Sequence, residues 1–330
     1  MVKLSAPSFW FRPQVKLWPA VLTPLAWAVA RVARCRMQRK GWQAPVPVLC
    51  CGNLTVGGAG KTTVVIDLVQ RLQARGVHPH VLTRGYGGKV PNGTQVMPAF
   101  HTARDVGDEP LLLARYCPVW VGGDRAVTAR CAVSAGADCL IMDDGFQNPS
   151  LGKTVSLVVV DGAVGLGNGH VLPAGPLRET VEDGLARTDA LLIIGADRHD
   201  VERLAQSRNL PVLHAELEQV DAPEVLRSSL YVAFAGIGRP EKFFEGLRSA
   251  GIKVVEALPF PDHYAYNNRD IARLQAEASR LGARLVTTPK DAMRLPASFR
   301  QNVVVMNVRL VWRDPQAPEC LLDTLLARQA

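Results

Sequence analysis

Residues 47–70 read PVLCCGNLTVGGAGKTTVVIDLVQ, and this stretch decides the fold predicted for the chain. The apolar run 46–51 predicts a strand, the glycines around position 58 predict a tight turn, and the apolar spacing of 63–75 predicts a helix. A strand, a glycine-rich turn and a helix in this order form a phosphate-binding loop, because backbone N–H groups and the positive helix end face the anion. The sequence therefore predicts an α/β fold built around a nucleotide site.

The residues of this loop have separate expected tasks. Lys61 is expected to reach the outer phosphates of ATP, and the Thr62 hydroxyl is expected to hold Mg²⁺. The set expected to contact the nucleotide is Thr55, Val56, Gly57, Gly58, Ala59, Gly60, Lys61, Thr62 and Thr63. Thr55 departs from the usual pattern, which has glycine at that position, and an ordinary glycine-rich turn is the alternative. The predicted fold class is a P-loop NTPase-like α/β sandwich with a mostly parallel sheet.

An acidic motif downstream strengthens this prediction. The apolar run 139–142 leads directly into DDGFQ at 143–147. A strand that ends in aspartate, downstream of a phosphate loop, is the arrangement that holds Mg²⁺ through a carboxylate or its water. Asp143 and Asp144 are both candidate ligands, and the sequence leaves open which of them contacts the metal. The loop and the acidic pair together indicate phosphoryl transfer or nucleotide-driven switching.

Composition limits the remaining possibilities. A length of 330 residues suggests two domains, and 48% hydrophobic with 21% charged content is typical of a globular protein. The net charge of +8 suits an anionic membrane or a phosphorylated substrate. No nucleic-acid-binding signature accompanies that charge, so nucleic acid is not an expected partner. The seven cysteines lack CxxC spacing, which favours a reducing compartment over a disulfide framework or a zinc site.

The segment Val15–Ala33 is the candidate for membrane contact. It is mostly apolar, contains Trp18 and Trp27, and precedes a basic cluster that ends at Lys40. A spanning helix needs about 20 apolar residues, and charged residues and prolines interrupt this segment. The favoured interpretation is a membrane-associated helix within 1–36 that is buried in, or lies on, the cytoplasmic leaflet with its arginines on anionic lipids. A core helix is the alternative, and spanning is left open.

The rest of the chain alternates strand and helix patterns. It predicts a P-loop domain at 37–225 and a smaller α/β domain at 226–330, with the boundary near 219–229, where the periodicity weakens. A Gly/Pro-rich loop at 165–179 ends in Arg178 and Glu179, which are site candidates with a surface salt bridge as the alternative.

Transfer to a hydroxyl also needs a base, and Asp108 and His263 are candidates on separate domains. A helix cap is the alternative for Asp108. For His263 the alternative is a loop histidine that caps a turn, and spacing alone favours that alternative.

Eight phrases resemble the tetraacyldisaccharide 4′-kinase family, the lipid A 4′-kinases of Gram-negative bacteria. They are GNLTVGGAGKTT, TRGYGG, GDEPLLLA, DDGFQN, DGAVGLGNGHVLPAGPLRE, AGIGRPEKFF, FPDHYAY and TTPKDAMRL. The similarity runs from about Leu17 to Leu310, and the Thr55 departure fits, since the family's loop reads GNLTxGGxGKT. The resemblance implies that ATP phosphorylates the 4′-hydroxyl of a tetraacylated glucosamine disaccharide 1-phosphate at the cytoplasmic face of the inner membrane, giving lipid IVA in lipid A biosynthesis.

The resemblance also implies roles for single residues. Asp108 and His263 match the family's catalytic pair, and Asp143 and Asp144 match its acidic residues near Mg²⁺. Glu179 matches the glutamate that closes the LPAGPLRE phrase and is expected at the nucleotide. The N-terminal apolar helix matches the family's membrane anchor.

Two departures from the family pattern are Asn148, where histidine is common, and Pro289, where glutamate is common. The second leaves the contacts of Lys290 and Asp291 open.

The alternative function is a membrane-associated switch ATPase of the partitioning or metal-insertion type. Those proteins carry a lysine early in the loop that acts across a dimer, and the matching residue here is Val56. The kinase interpretation is therefore favoured, and the sequence leaves the oligomeric state open.

Overall fold

The computed structural model describes residues 6–12, 14–15, 17–219 and 228–328, and its strands form two sheets. The strands are β1 (Val48–Gly52), β2 (Pro79–Thr83), β3 (Thr94–Gln95), β4 (Val119–Val121), β5 (Cys139–Asp143), β6 (Val155–Asp161), β7 (Ala190–Ile194), β8 (Val212–Gln219), β9 (Leu230–Ala235), β10 (Lys253–Pro259), β11 (Arg284–Thr287), β12 (Val303–Val305) and β13 (Val308–Trp312). The helices are α1 (Leu17–Met37), α2 (Lys61–Ala74), α3 (Ala103–Val106), α4 (Asp108–Leu113), α5 (Arg125–Ser134), α6 (Val181–Leu185), α7 (Val201–Gln206), α8 (Pro240–Ser249), α9 (Asn268–Arg280), α10 (Pro289–Arg294), α11 (Ala297–Arg300) and α12 (Ala317–Ala327).

The larger sheet has nine strands in the order β13-β8-β7-β6-β1-β5-β2-β4-β3. Seven of them are parallel, and the edge strands β13 and β3 run antiparallel to their neighbours. The strand β1 lies in the interior between β5 and β6, so the loop that follows it emerges where the carboxyl ends of three strands meet. Ligands bind at this edge of open α/β sheets. The predicted α/β fold with a mostly parallel sheet is confirmed.

Both faces of this sheet are buried, which explains why its strands are nearly continuous apolar runs. Successive side chains of β1 point to opposite faces: Leu49 and Cys51 join the cluster under α2, whereas Val48 and Cys50 join the cluster on the other face. The helix α2 buries Val64, Val65, Leu68, Val69 and Leu72 against the sheet. The phosphate loop therefore connects two elements whose positions are fixed by the core.

The smaller sheet is all-parallel, with the order β10-β9-β11-β12. This sheet and its helices α8 to α11 are called the small lobe below, and the nine-stranded sheet with its helices is called the large lobe. The expected boundary at 225/226 lies outside the described residues. The expected domain 226–330 differs from the structure in its last part, because β13 pairs with β8 and α12 packs on the large lobe. The alternation of strand and helix patterns along the chain carries no information on which sheet a strand joins.

The helix α1 packs one face on the large lobe, where Ala26 is buried beside Leu22 and Val29. Its other side leaves Leu17, Trp18, Val21, Leu25, Trp27 and Val32 exposed. Within the described ranges, no helix is both long enough and apolar enough to cross a membrane.

Candidate active site at the junction of the two lobes

The phosphate loop has the backbone that its glycines predict. Gly60 has φ 85° and ends the loop directly before α2, a conformation that residues with a Cβ rarely adopt. A Cβ on Gly52 would lie 2.3 Å from the Cβ of Phe146, so β1 can approach the DDGFQ turn only with glycine there. A Cβ on Gly57 or Gly58 would meet nothing within 4 Å. The loop is therefore open on the side where a phosphate chain would bind.

The Gly/Pro-rich loop 165–179 is hydrogen-bonded to the backbone of the phosphate loop. The backbone N–H of Val56 donates to the carbonyl of Pro176 at 2.8 Å, and the N–H of Arg178 donates to the carbonyl of Leu54 at 2.8 Å. These bonds link the start of the phosphate loop to a segment that the sequence predicted to be functional. The long loop is thus part of the site.

Lys61 lies beside the acidic pair, as expected for a site that binds phosphate and a metal. Its Nζ is 3.5 Å from Oδ1 of Asp144. Arg178 also binds Asp144 through two nitrogens, at 2.9 and 3.1 Å. Burial opposes the charge of Asp144, but Lys61 and Arg178 outweigh it and lower the pKa of this carboxyl. Asp144 is therefore an ionised carboxylate with two cationic partners.

Asp143 has the opposite environment, although it is the preceding residue. It ends β5 opposite Cys51 of β1, and it is 1% exposed. Both carboxylate oxygens lack a hydrogen-bond partner among the described residues. Burial raises the pKa of Asp143 to about 7, with nearby Glu109 adding to the effect and Lys61 opposing it. A buried carboxylate without donors is expected to bind a cation.

Glu179 is buried next to this cluster. It accepts a hydrogen bond from Gln147 Nε2 at 2.9 Å and forms an ion pair with Arg187. The same Gln147 nitrogen donates to the carbonyl of Asn53 at 2.9 Å, so Glu179 contacts the phosphate loop through one intervening side chain. Its expected contact with the nucleotide stays a prediction.

Asp108 and His263, which are 155 residues apart, meet at the junction of the lobes. His263 Nδ1 lies 3.1 Å from each carboxylate oxygen of Asp108. Burial opposes the Asp108 charge, but the hydrogen bond from His263 and the charge of Arg294 lower its pKa to about 2. The hydrogen bond to Asp108 raises the pKa of His263. The pair is therefore a carboxylate facing an imidazole that binds a proton readily.

Further contacts join the lobes around this pair. Lys290 Nζ lies 2.5 Å from Glu109 Oε1. On the other side of the phosphate loop, Arg239 and Lys242 lie 2.6 and 3.4 Å from Asp161, which ends β6. A Cβ on the neighbouring Gly238 would lie 3.8 Å from the backbone nitrogen of Gly58. The small lobe therefore lies beside the phosphate loop.

Sequence reasoning left Asp291 and Arg294 without a role. Asp291 is fully buried and accepts from the Gly236 N–H at 2.9 Å, the Tyr266 hydroxyl at 2.7 Å and the Thr288 hydroxyl at 2.6 Å. Arg294 lies 2.9 Å from Asp108 and 3.3 Å from Asp291. Their spacing of three residues on one helix face was the only available signal.

The two departures from the family pattern have local explanations. Asn148 donates to the carbonyl of Gly123 at 3.1 Å and accepts from the N–H and hydroxyl of Ser150, so it stabilises the turn after DDGFQ. Pro289 is the first residue of α10, a position that suits proline because its N–H would have no partner in the helix. Both substitutions fit the observed backbone.

Comparisons with known proteins agree with this geometry. A model of the family described as tetraacyldisaccharide-1-P 4′-kinase matches residues 18–327. The tetraacyldisaccharide 4′-kinase of Gluconacetobacter diazotrophicus is 55% identical over 325 residues, covering 98% of each chain. That of Gluconobacter oxydans is 53% identical over 323 residues, covering 97% of this chain and 98% of the relative. A crystal structure of LpxK from Aquifex aeolicus in complex with ATP is similar with a TM-score of 0.75 and 25% identity, covering 94% of this chain and all of that one.

Proposed function

The chain belongs to the tetraacyldisaccharide-1-P 4′-kinase family, and we propose that it transfers the γ-phosphoryl group of ATP to the 4′-hydroxyl of a tetraacylated glucosamine disaccharide 1-phosphate, giving lipid IVA. The observation that carries the proposal is the Asp108–His263 pair beside a phosphate loop. A kinase needs such a pair to orient and deprotonate an acceptor hydroxyl. A switch ATPase has no acceptor hydroxyl other than water, and Val56 replaces the lysine that such proteins use across a dimer.

ATP binding is assigned to the phosphate loop and the start of α2. The loop amides and the positive end of α2 face the phosphates, with Gly57 and Gly58 leaving space for them. Lys61 neutralises the outer phosphates, and its present contact with Asp144 places the ammonium beside the loop. Arg178, on the other side of Asp144, adds a second cation near the same position.

The residues present fit a magnesium ion. Asp143 offers two buried carboxylate oxygens without donors, whereas Asp144 is already bound by Lys61 and Arg178. Asp143 and the Thr62 hydroxyl would therefore hold the ion, with Asp144 near it. Mg²⁺ binds proteins through few carboxylates together with phosphates and water. When bound, Mg²⁺ neutralises charge on the phosphoryl oxygens.

Asp108 and His263 are assigned the proton of the acceptor hydroxyl. The pKa of about 2 makes Asp108 a weak base by itself. The raised pKa of His263 makes the imidazole the better site for a proton that moves from the hydroxyl into the pair. Asp108 then stabilises the imidazolium that forms. This assignment explains why the pair combines a strongly ionised carboxylate with a more basic histidine.

The helix α1 is assigned to the membrane surface. Its exposed apolar residues Leu17, Val21, Leu25 and Val32 are separated by four, four and seven positions, which places them on one side of a helix. The following cluster of arginines suits anionic lipid headgroups. We place the protein on the cytoplasmic face of the inner membrane, where α1 would lie beside the acyl chains of the substrate.

Radiolabelled ATP tests the function directly. The purified chain is incubated with γ-labelled ATP and vesicles that contain the disaccharide 1-phosphate, and label is measured on lipid and as free phosphate. Label on the lipid, absent with Lys61→Ala, supports the kinase. Release of free phosphate at the same rate with and without the acceptor lipid, and no labelled lipid, would contradict it and support a switch ATPase.

A further inference from the structure

Arg294 is a buried cation at the junction of the two lobes. It is the last residue of α10, and its side chain is 6% exposed. A buried guanidinium destabilises a protein unless its partners compensate for the lost hydration. The identity of those partners therefore indicates what the residue does.

One group of partners surrounds His263. The Nη1 atom of Arg294 donates to the carbonyl of Gly236 at 2.9 Å and to the carbonyl of Tyr264 at 3.2 Å. The Gly236 carbonyl also accepts from the N–H of His263 at 3.0 Å. His263 itself has φ 53°, a left-handed conformation that a residue with a Cβ keeps only when its surroundings determine it. Arg294 therefore fixes the backbone on both sides of His263.

The other group consists of two carboxylates. The Nε atom of Arg294 lies 2.9 Å from Oδ2 of Asp108, and Nη1 lies 3.3 Å from Oδ1 of Asp291. Asp291 is held by three hydrogen bonds from the small lobe and so fixes the position of the Arg294 guanidinium. One planar side chain thus contacts both the backbone that carries the histidine and the carboxylate that pairs with it.

We propose that Arg294 is a positioning residue for phosphoryl transfer, which fixes Asp108 and His263 relative to each other and places a positive charge beside them. The proposal rests on the proton-transfer role given to this pair under the proposed function. Arg294 acts through the pair and not on the acceptor. A guanidinium is suited to this task because its planar group contacts several partners in fixed directions while it carries the charge.

The charge of the pair depends on groups from several elements. Three groups of the small lobe face Asp108: His263 in the loop after β10, and Arg294 and Lys290 of α10. His263 faces Asp108 and Glu109 of α4 and also the neighbouring Asp262. Removal of the positive charge of Arg294 would raise the pKa of Asp108, since an opposite charge at this distance favours the ionised form. The same loss of charge would raise the pKa of His263, since a cation beside the imidazole disfavours the imidazolium. The imidazole that must accept the proton would then become protonated at higher pH than in the wild type, which displaces the acid limb of kcat.

The test compares three variants in the labelled-lipid assay from pH 5 to pH 9 (a range of about four units). Arg294→Met removes the charge and the fork, and Arg294→Lys retains only the charge. Arg239→Met is the matched control, because it removes another ion pair between the lobes, with Asp161, that does not touch the catalytic pair. The KM for ATP, the KM for the lipid and kcat are measured at each pH, and urea unfolding establishes the folded fraction.

For Arg294→Met we expect kcat to fall about 10- to 100-fold, with the KM for ATP within about twofold of wild type. The acid limb of its kcat profile should move to higher pH by about one unit. Arg294→Lys should recover part of kcat and restore the acid limb, and Arg239→Met should leave the limb in place. If Arg294→Met does not fold, Arg294→Lys tests the proposal instead, because it keeps a buried cation.

Wild-type kcat and pH profile in Arg294→Met would overturn the inference. An equal loss of kcat in all three variants, without movement of the acid limb, would also overturn the inference. Contact between the lobes, and not an effect on the catalytic pair, would then explain the loss. The inference would also be overturned if the acid limb of Arg294→Lys moved as far as expected for full loss of the charge, because lysine retains that charge. Wild-type protein that transfers no label to lipid would instead contradict the proposed function, so the two failures are distinguishable.

Discussion

Asp108→Asn removes the charge from the centre of the lobe junction with almost no change in shape. In the wild type, the carboxylate lies 3.1 Å from His263 Nδ1 and 2.9 Å from Arg294 Nε. The lowering of its pKa from 3.8 to about 2 corresponds to about 2 kcal/mol in favour of the charged form. Because the folded-state pKa is depressed, this stabilisation is complete above the ordinary pKa and is lost as the pH falls through about 2.

The expected kinetic effect is a loss of proton transfer with nucleotide binding intact. Positioned acid–base groups contribute about 10²- to 10⁴-fold, so kcat should fall by that factor, which is about 3–5 kcal/mol of barrier. His263→Gln should cause a similar loss. The double variant should be no slower than the slower single variant, because the two groups act as a unit. Asp105→Asn is the control, since this carboxylate of α3 contacts Thr102 and not the pair.

The assay measures initial rates of label transfer to lipid at saturating ATP, with nucleotide affinity measured separately. A kcat of Asp108→Asn within about threefold of wild type would refute the acid–base assignment. Full additivity of the two losses would show that the residues have separate roles. The difference in unfolding free energy between wild type and Asp108→Asn should be largest near about pH 5. It should become smaller as the pH rises through the raised pKa of His263, because only the wild type has the Asp108 contact that stabilises the imidazolium. A difference that does not change between about pH 5 and pH 9 would contradict the electrostatic account.

Three further predictions concern stability and membrane contact. Gly52→Ala should lower the free energy of unfolding in urea by about 1–3 kcal/mol, because the added Cβ would lie 2.3 Å from that of Phe146. Asp291→Asn should lower it by about 3–5 kcal/mol, since Arg294 would keep its charge beside a neutral amide at a fully buried site. Val21→Glu combined with Leu25→Glu should weaken sedimentation with anionic vesicles at least about tenfold without changing nucleotide affinity. Unchanged unfolding or vesicle binding would contradict the corresponding statement.

Local sequence patterns predicted the phosphate loop well because its parts are contiguous. The strand, the glycines and the helix between Val48 and Ala74 follow one another directly, so propensity and periodicity determine the local geometry. The predicted helix 63–75 begins two residues earlier, at Lys61, and this start is what directs the amides of the helix end toward the loop. Short-range information was sufficient for this part of the site.

The rest of the site depends on contacts that spacing does not encode. Asp108 and His263 belong to different lobes, and spacing alone favoured a turn-capping role for His263; the resemblance named the pair. The sequence did not single out Arg294, because its contact with Asp108 forms only when α10 packs against α4 of the other lobe. The return of β13 to the large sheet was missed for the same reason, since a strand pattern does not specify which edge it joins.

Asp143 and Asp144 show how a strand end can give two neighbouring carboxylates different chemistry. Asp143 is still part of β5, so its side chain points into the sheet edge beside β1, where burial raises its pKa to about 7. Asp144 has φ 54°, and this left-handed residue turns the chain so that its carboxylate meets Lys61 and Arg178. The backbone reversal thus separates a carboxylate without hydrogen-bond donors from one that contacts two cationic side chains. Exchange of the two environments would require the reversal to occur one residue earlier, within β5, where it would remove the pairing with Cys51 of β1. The order of the two environments along the chain therefore follows from the position at which the strand ends.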